Sequence, residues 1–129
     1  MKVLVDTSVW SLALRRKEKS EISKKLADLI IASLAVMIGP VRQELLSGIS
    51  NEDAFLKLKA KLEAFDDFPI TTQEYATAAE FYNTCRKHGK QGSHIDFLVC
   101  AVAYNNDLYI FTTDDDFYNY AEHLPIRLL

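Results

Sequence analysis

Residues 3–10 read V-L-V-D-T-S-V-W. Three aliphatic residues in succession predict a short, buried strand. The strand then meets a carboxylate, Asp6, two hydroxyls, Thr7 and Ser8, and a tryptophan, Trp10. Ligands of open parallel α/β sheets bind beyond the carboxyl ends of the strands. Asp6 is therefore either the cap of the next helix or the first member of a site.

Working outward, short β-like runs alternate with longer amphipathic segments. Ser20 is placed to cap a helix whose apolar stripe runs Ile22, Leu26, Leu29, Ile30. Ala35 to Ile38 reads as a second strand ended by Gly39-Pro40, and Pro40 suits the first turn of a helix that Gly48 closes. Asn51 opens a helix carrying Phe55, Leu58, Leu62 and Phe65, and a short strand is expected near Phe68 to Ile70. Thr71 and Glu74 have the capping-box spacing for a long helix ending in R-K-H-G-K, a basic end that suits the dipole. Gly92-Ser93 starts a helix that has no charged residue from Phe97 to Tyr104, the mark of a central, buried helix. Leu108 to Phe111 is a strand, T-T-D-D-D-F opens a short helix, and Ile126 to Leu129 is a last strand. Alternation of this kind predicts an α/β fold with a mostly parallel sheet.

The 129 residues suit one domain with a sizeable core, expected over residues 1–129 without repeat or linker. The net charge of −3 does not advertise a nucleic-acid binder, though local patches can oppose the net sign. Cys85 and Cys100 fall in apolar helical patterns with no C-x-x-C pair, so two reduced, buried thiols are expected and not a zinc site. The chain enters its first strand without a charged leader and apolar core, which argues against a signal peptide. Its longest apolar stretch, around Leu29 to Val41, is broken by Ser33, Gly39 and Pro40 and is too short to span a bilayer. A cytoplasmic protein is expected.

Two acids fall at strand ends: Asp6 after the first strand and Asp114 after the fourth, with Asp116 two residues on. Two more lie on helix faces expected to turn inward. Asp96 shares its face with Val99, Cys100 and Ala103, and Glu44 shares one with Val41 and Gly48. Each has an ordinary explanation. Asp6 and Asp114 can be helix caps, Asp96 can complete a capping box with Ser93, and Glu44 can be a solvated helix residue. Together they point elsewhere. Carboxylates about 5 Å apart repel by roughly 3 kcal/mol per pair at an effective dielectric near 20, so such a cluster takes up protons or holds a cation. Arg42 is the only basic residue within these motifs. Oxygen-only ligands suit a hard ion, Mg²⁺ or Mn²⁺.

The set D-T-S at Asp6 to Ser8, E-L-L-x-G from Glu44, G-S-x-x-D at Gly92 to Asp96, and T-x-D-x-D-F ending in Asp114, Asp116 and Phe117 resembles PIN domains. More narrowly, it resembles the VapC-type toxins of toxin–antitoxin pairs. Each motif alone is weak, but four in this order span essentially the whole chain. The resemblance implies a three-layer α/β/α sandwich and a Mg²⁺- or Mn²⁺-dependent endoribonuclease. It implies a catalytic quartet of Asp6, Glu44, Asp96 and Asp114, with Asp116 as a fifth, outer acid. Thr7, Ser8 and Thr113 would hold the carboxylates or a water by hydrogen bonds. Cys100 stands where such toxins often have a small residue, a departure that concerns packing. The resemblance also implies a cognate antitoxin, which can reach the acidic site with a basic side chain, and frequent homodimers.

On this reading Asp6, Asp96 and Asp114, with Asp116 outside them, anchor the ion, and Glu44 holds or deprotonates the attacking water. Hydrolysis by water leaves a 5′-phosphate and a 3′-hydroxyl. A histidine-pair mechanism is disfavoured because His88, His94 and His123 are dispersed in sequence and only His94 adjoins the acids. The basic runs Arg15-Arg16-Lys17 and Arg86-Lys87-His88 either track RNA phosphates or are simply solvated. Trp10, with Leu12 and Leu14, either belongs to the core or lines a groove for a partner helix. Two other functions compete: a catalytically inactive PIN-like scaffold, and a receiver-type phosphoacceptor domain. The latter lacks its Asp at the third strand end and its Lys at the fifth.

Overall fold

The computed structural model describes residues 1–15 and 20–129, with Arg15 described in its backbone alone. The run Arg15-Arg16-Lys17 thus lies outside the described side chains. Strand β1 (Val3–Val5) is buried at every position. It is the middle strand of a parallel sheet of order β2-β1-β3, with β2 at Ala35–Val36 and β3 at Tyr109–Phe111. Burying each aliphatic side chain is worth about 1.5–3 kcal/mol, against a backbone ordering cost of about 1–2 kcal/mol per residue. A three-residue strand of bulky apolar residues is therefore viable where both faces are covered.

The strands expected near Phe68 and over Ile126 to Leu129 are reduced to single parallel bridges, Met37 to Asp67 and Ile110 to Leu128. They extend the sheet by one rung on each side. Both segments carry a proline, Pro69 and Pro125, which lacks the N–H that a longer ladder requires. Asp114 accordingly follows the third strand and not a fourth.

From β1 the chain runs through α1 (Thr7–Arg15) and α2 (Glu21–Ile31) to β2 on one side. It then passes through α3 (Gly39–Leu46), α4 (Glu52–Leu62), α5 (Thr72–Lys87) and α6 (His94–Asn105) to β3 on the other, before α7 (Asp116–Ala121). The two crossovers move in opposite directions from β1, so right-handed connections place their helices on opposite faces. Contacts place α1 on α2 and also on α3, which stays on the first face, whereas α5 packs on α6 and α6 lies against β1 and β3. Three layers result. The apolar stretch of α6 is buried from Phe97 through Ala103 except Leu98, as its lack of charge predicts.

Local signals explain the helix limits. Ser20 and Ser23 cap α2 reciprocally, and Asn51 Oδ1 accepts the Ala54 N–H at the start of α4. The Thr71–Glu74 box does not close: the Thr71 hydroxyl donates to the Glu74 carboxylate instead of accepting a helix N–H. Helices α2, α5 and α6 end alike, with a left-handed residue (Ser33, Gly89, Asp107) followed by a backbone bond back to the last turn: Leu34 N to Leu29 O, Lys90 N to Cys85 O and Leu108 N to Ala103 O. Cys85 and Cys100 are both buried free thiols, and burial pushes each pKa up. No helix among the described residues is long and apolar enough to cross a membrane.

Candidate functional site

Strand order reverses at β1, so the chain leaves β1 and β3 toward opposite faces and opens a crevice at their carboxyl ends. Asp6 stands there. Its N–H donates to Phe111 O at 2.9 Å, so the sheet ladder carries one residue past β1 and fixes Asp6 beside the segment after β3. Its carbonyl accepts the N–H groups of Val9 and Trp10, as an N-cap residue's does. Its carboxylate does something different. Oδ2 accepts the Ser8 hydroxyl at 2.8 Å and the Thr112 hydroxyl at 2.9 Å, while Oδ1 accepts nothing among the described residues. The residue is only 5% exposed.

Thr113 is the hydroxyl expected in support; the structure gives that contact to Thr112, the threonine of T-x-D-x-D-F. Thr113 contributes its backbone N–H, which donates to Ser8 Oγ at 3.0 Å. Thr7 makes no bond in this network: its hydroxyl is buried without a partner among the described residues. The Thr112 hydroxyl also accepts the Asp114 N–H at 3.0 Å, tying the two strand-end segments together.

Asp114 Oδ1 accepts the Asp116 N–H at 2.9 Å just before α7, while its other oxygen stays unengaged among the described residues. Asp116 itself is exposed. Asp96 takes a different partner from the one its spacing suggests. Ser93 caps α6 by accepting the Asp96 N–H, and Asp96 Oδ2 accepts the Tyr120 hydroxyl at 2.8 Å. Burial raises the Asp96 pKa above the ordinary carboxylate value, the Tyr120 and Ser93 hydroxyls oppose that rise, and the charges of Asp6 and Asp114 add to it. Tyr120 is pushed up in turn, first by its own burial and then by Asp96. Asp6 and Asp114 therefore lie near enough to Asp96 for their charges to be felt there.

Tyr120 has no counterpart among the residues expected from sequence. Its ring fits because residue 92 is glycine: a Cβ there would lie 2.3 Å from the Tyr120 hydroxyl oxygen. The sequence signal was the glycine of G-S-x-x-D, which opens the helix and also makes room for the tyrosine.

Glu44 has no hydrogen-bonded link to the other acids among the described residues. The buried positions of α3 are Val41 and Leu45, and Glu44 is exposed on the neighbouring face without a hydrogen bond among the described residues. Arg42 is not a counter-ion for the acids either. It donates to Asp67 at 2.9 Å and to the carbonyls of Leu62 and Phe65, bracing the chain after α4. The histidines are less scattered than their positions imply: His88 and His123 stack at 4.0 Å between centroids, and His94 stacks on Tyr82. Trp10 is core, packed edge-on against Phe65, while Leu14 is partly exposed.

Among the described residues no group of three or more His, Cys, Asp or Glu side chains is gathered closely enough to hold a metal ion. The acids line the crevice without closing on a point. Their chemistry still fits a hard cation. All donors are carboxylate oxygens, Asp6 and Asp114 each keep one oxygen unengaged, and Mg²⁺ commonly takes one or two carboxylates with water completing its octahedron.

Residues 3–123 match the PIN domain family. The chain belongs to that family. The fold is also found in solved structures of low identity. FitAcB from Neisseria gonorrhoeae is 22% identical with a TM-score of 0.79, over 98% of this chain and 96% of that one. DNA-bound VapBC from Salmonella typhimurium is 17% identical with a TM-score of 0.79, over 100% and 97%. VapBC2 from Rickettsia felis, bound to a promoter DNA fragment, is 15% identical with a TM-score of 0.78, over 100% and 98%.

Proposed function

We propose that this PIN domain is a divalent-metal-dependent endoribonuclease, acting as the toxin of a toxin–antitoxin pair in the cytoplasm. The half-engaged Asp6 carboxylate carries the reading: a buried acid whose second oxygen is left for something other than protein. PIN domains are generally nucleases, which supports the reaction class. Asp6, Asp96 and Asp114 would hold Mg²⁺ or Mn²⁺, with Asp116 at the margin. When bound, such an ion supplies a water of lowered pKa and positive charge against a phosphodiester.

The chain's own residues do the rest. Ser8 and Thr112 hold Asp6 Oδ2 so that Oδ1 faces the crevice. Tyr120 fixes the Asp96 rotamer by its hydroxyl. Glu44, exposed on α3, would orient the attacking water or receive its proton. Water attack breaks the P–O3′ bond and leaves a 5′-phosphate. The likeness to FitAcB and VapBC structures, together with the four motifs, supports an antitoxin partner, and the resemblance of the motifs to VapC-type toxins supports pairing of two copies of the chain. A groove of about 310 Å³ lined by Leu14, Leu45 and Leu58, rimmed by Lys57 and Lys61, suits an amphipathic antitoxin segment.

Incubation of the protein with RNA in Mn²⁺ and in chelator tests the reading. Cleavage that requires the ion and is lost in Asp96→Asn, with 5′-phosphate ends, is the expected result. Metal-independent cleavage, or full activity in Asp96→Asn, overturns it. One observation favours a second reading, a non-catalytic PIN-like scaffold: the acids do not close into a three-ligand group. Absence of both Mn²⁺ binding and cleavage would select it.

A further inference from the structure

Next to the acids, but outside them, lies a cleft of about 170 Å³ lined by Tyr82, Arg86, Lys90, Gln91, Gly92 and Phe97. Its wall toward the crevice is the cluster already described. Gly92 abuts the Tyr120 and Phe97 rings, and the Tyr120 hydroxyl reaches both Asp96 Oδ2 and, at 3.5 Å, Gln91 O. The opposite wall carries two cations without a carboxylate. Among the described residues the ion pairs are Arg42–Asp67 and Arg127–Asp107, so neither Arg86 nor Lys90 is neutralised.

Both cations stand on fixed backbone. Arg86 is in the last turn of α5, where its Nη1 lies 3.5 Å from Tyr82 Oη. Lys90 follows the left-handed Gly89, and its N–H is tied to Cys85 O at 2.9 Å. The other members of the basic run do not share the cleft: Lys87 does not line it, and His88 is stacked on His123. In a chain of net charge −3, two unpaired cations sharing one small cleft favour an anion there.

We propose that this cleft is a phosphate subsite, in which Arg86 and Lys90 hold a backbone phosphate of single-stranded RNA flanking the phosphodiester at the Asp6–Asp96–Asp114 crevice. The inference rests on the nuclease reading for its second phosphate but not for its first. Arg86 presents a planar fork of N–H donors and Lys90 a mobile ammonium, a pair that accommodates a phosphate in any base sequence. Tyr82 at the cleft edge, stacked with His94, offers an aromatic face to an adjoining base. Binding here sets the register of the strand across the acids.

The test separates binding from cleavage. A labelled, short single-stranded oligoribonucleotide is titrated in chelator against wild type, the double variant Arg86→Gln/Lys90→Gln, and a control, Lys57→Gln/Lys61→Gln, that removes the same charge elsewhere. The slope of log affinity against log salt is expected to fall by roughly 0.7 to 1.4 in the first double variant, the loss of one to two single-strand phosphate contacts, and by less in the control. In Mn²⁺ the first double variant raises KM and leaves kcat nearly unchanged. Equal slope changes in the two double variants, or no binding by wild type, overturn the proposal. If Asp6→Asn abolishes cleavage while Arg86→Gln/Lys90→Gln binds like wild type, the subsite fails and the nuclease reading stands. If no variant and no ion gives cleavage but the slope falls as stated, the subsite stands and the nuclease reading fails.

Discussion

Asp6 and Glu74 are the two buried carboxylates among the described residues, and their surroundings differ in one respect. Glu74, at the start of α5, is engaged on both oxygens: Oε2 by the Thr71 hydroxyl and Oε1 by the Asn106 amide at 3.4 Å. The Thr71 hydroxyl above all holds its pKa below the ordinary carboxylate value, against the upward pull of burial, with Asn106 helping. Asp6 has two hydroxyls on Oδ2 and none on Oδ1. A buried acid completed by protein ties elements together. A buried acid completed on one side only is available to a ligand, and burial alone does not tell the two apart.

The largest test of this difference is Asp6→Asn. It is nearly isosteric and keeps an oxygen for Ser8 and Thr112, so the thermal midpoint should move little. RNA cleavage should fall by roughly a thousandfold, about 4 kcal/mol of transition-state stabilisation. A variant that unfolds instead would make Asp6 a second Glu74. Gly92→Ala sharpens the contrast from the side of Asp96. Its new methyl would displace the Tyr120 ring, so a loss of about 1–3 kcal/mol in denaturant unfolding should accompany reduced cleavage. Glu74→Gln should do the reverse of Asp6→Asn, lowering stability by about 1 kcal/mol with cleavage unchanged.

The pH dependence has a definite sign. Because the folded pKa of Glu74 is depressed, its contribution is present above the unfolded carboxylate value and is lost as pH falls through the folded one. Wild type should therefore lose more stability than Glu74→Gln on acidification, as followed by unfolding midpoints across acidic buffers. The smallest effect is expected at neither pole. Ser33 is an exposed non-glycine residue at φ 59°, and Ser33→Gly should add roughly 0.5–1 kcal/mol by relieving left-handed strain. A loss there would mean that the Ser33 side chain has a role in the turn.

What the sequence made legible was periodic or punctuated. Val3–Val5, the charge-free run of α6 and the caps Ser20, Asn51 and Ser93 all follow from local pattern, and each forms as read. Illegible features depend on register or on a partner far along the chain. T-x-D-x-D-F has its threonine at 112, yet Thr113 is the hydroxyl expected in support; the Asp6–Phe111 hydrogen bond sets the register in which Thr112 reaches Asp6. Glu74 and Thr71 have capping-box spacing, yet Asn106 draws the carboxylate into the interior. Of the four left-handed residues at helix ends, Gly48 and Gly89 announce themselves; Ser33 and Asp107 do not. Glu44 was placed inward by its neighbours Val41 and Gly48, but Gly48 is exposed and the buried stripe follows Leu45.

The bond from Thr112 to Asp6 joins residues 106 apart in a chain of 129. A nascent chain therefore carries its first acid long before it carries the hydroxyl that orients it. With Phe111 and Thr112 still in the ribosomal tunnel, β1 lacks one neighbour and Asp6 lacks its frame. The crevice at Asp6 is thus a late product of the fold, framed only once β3 has paired with β1.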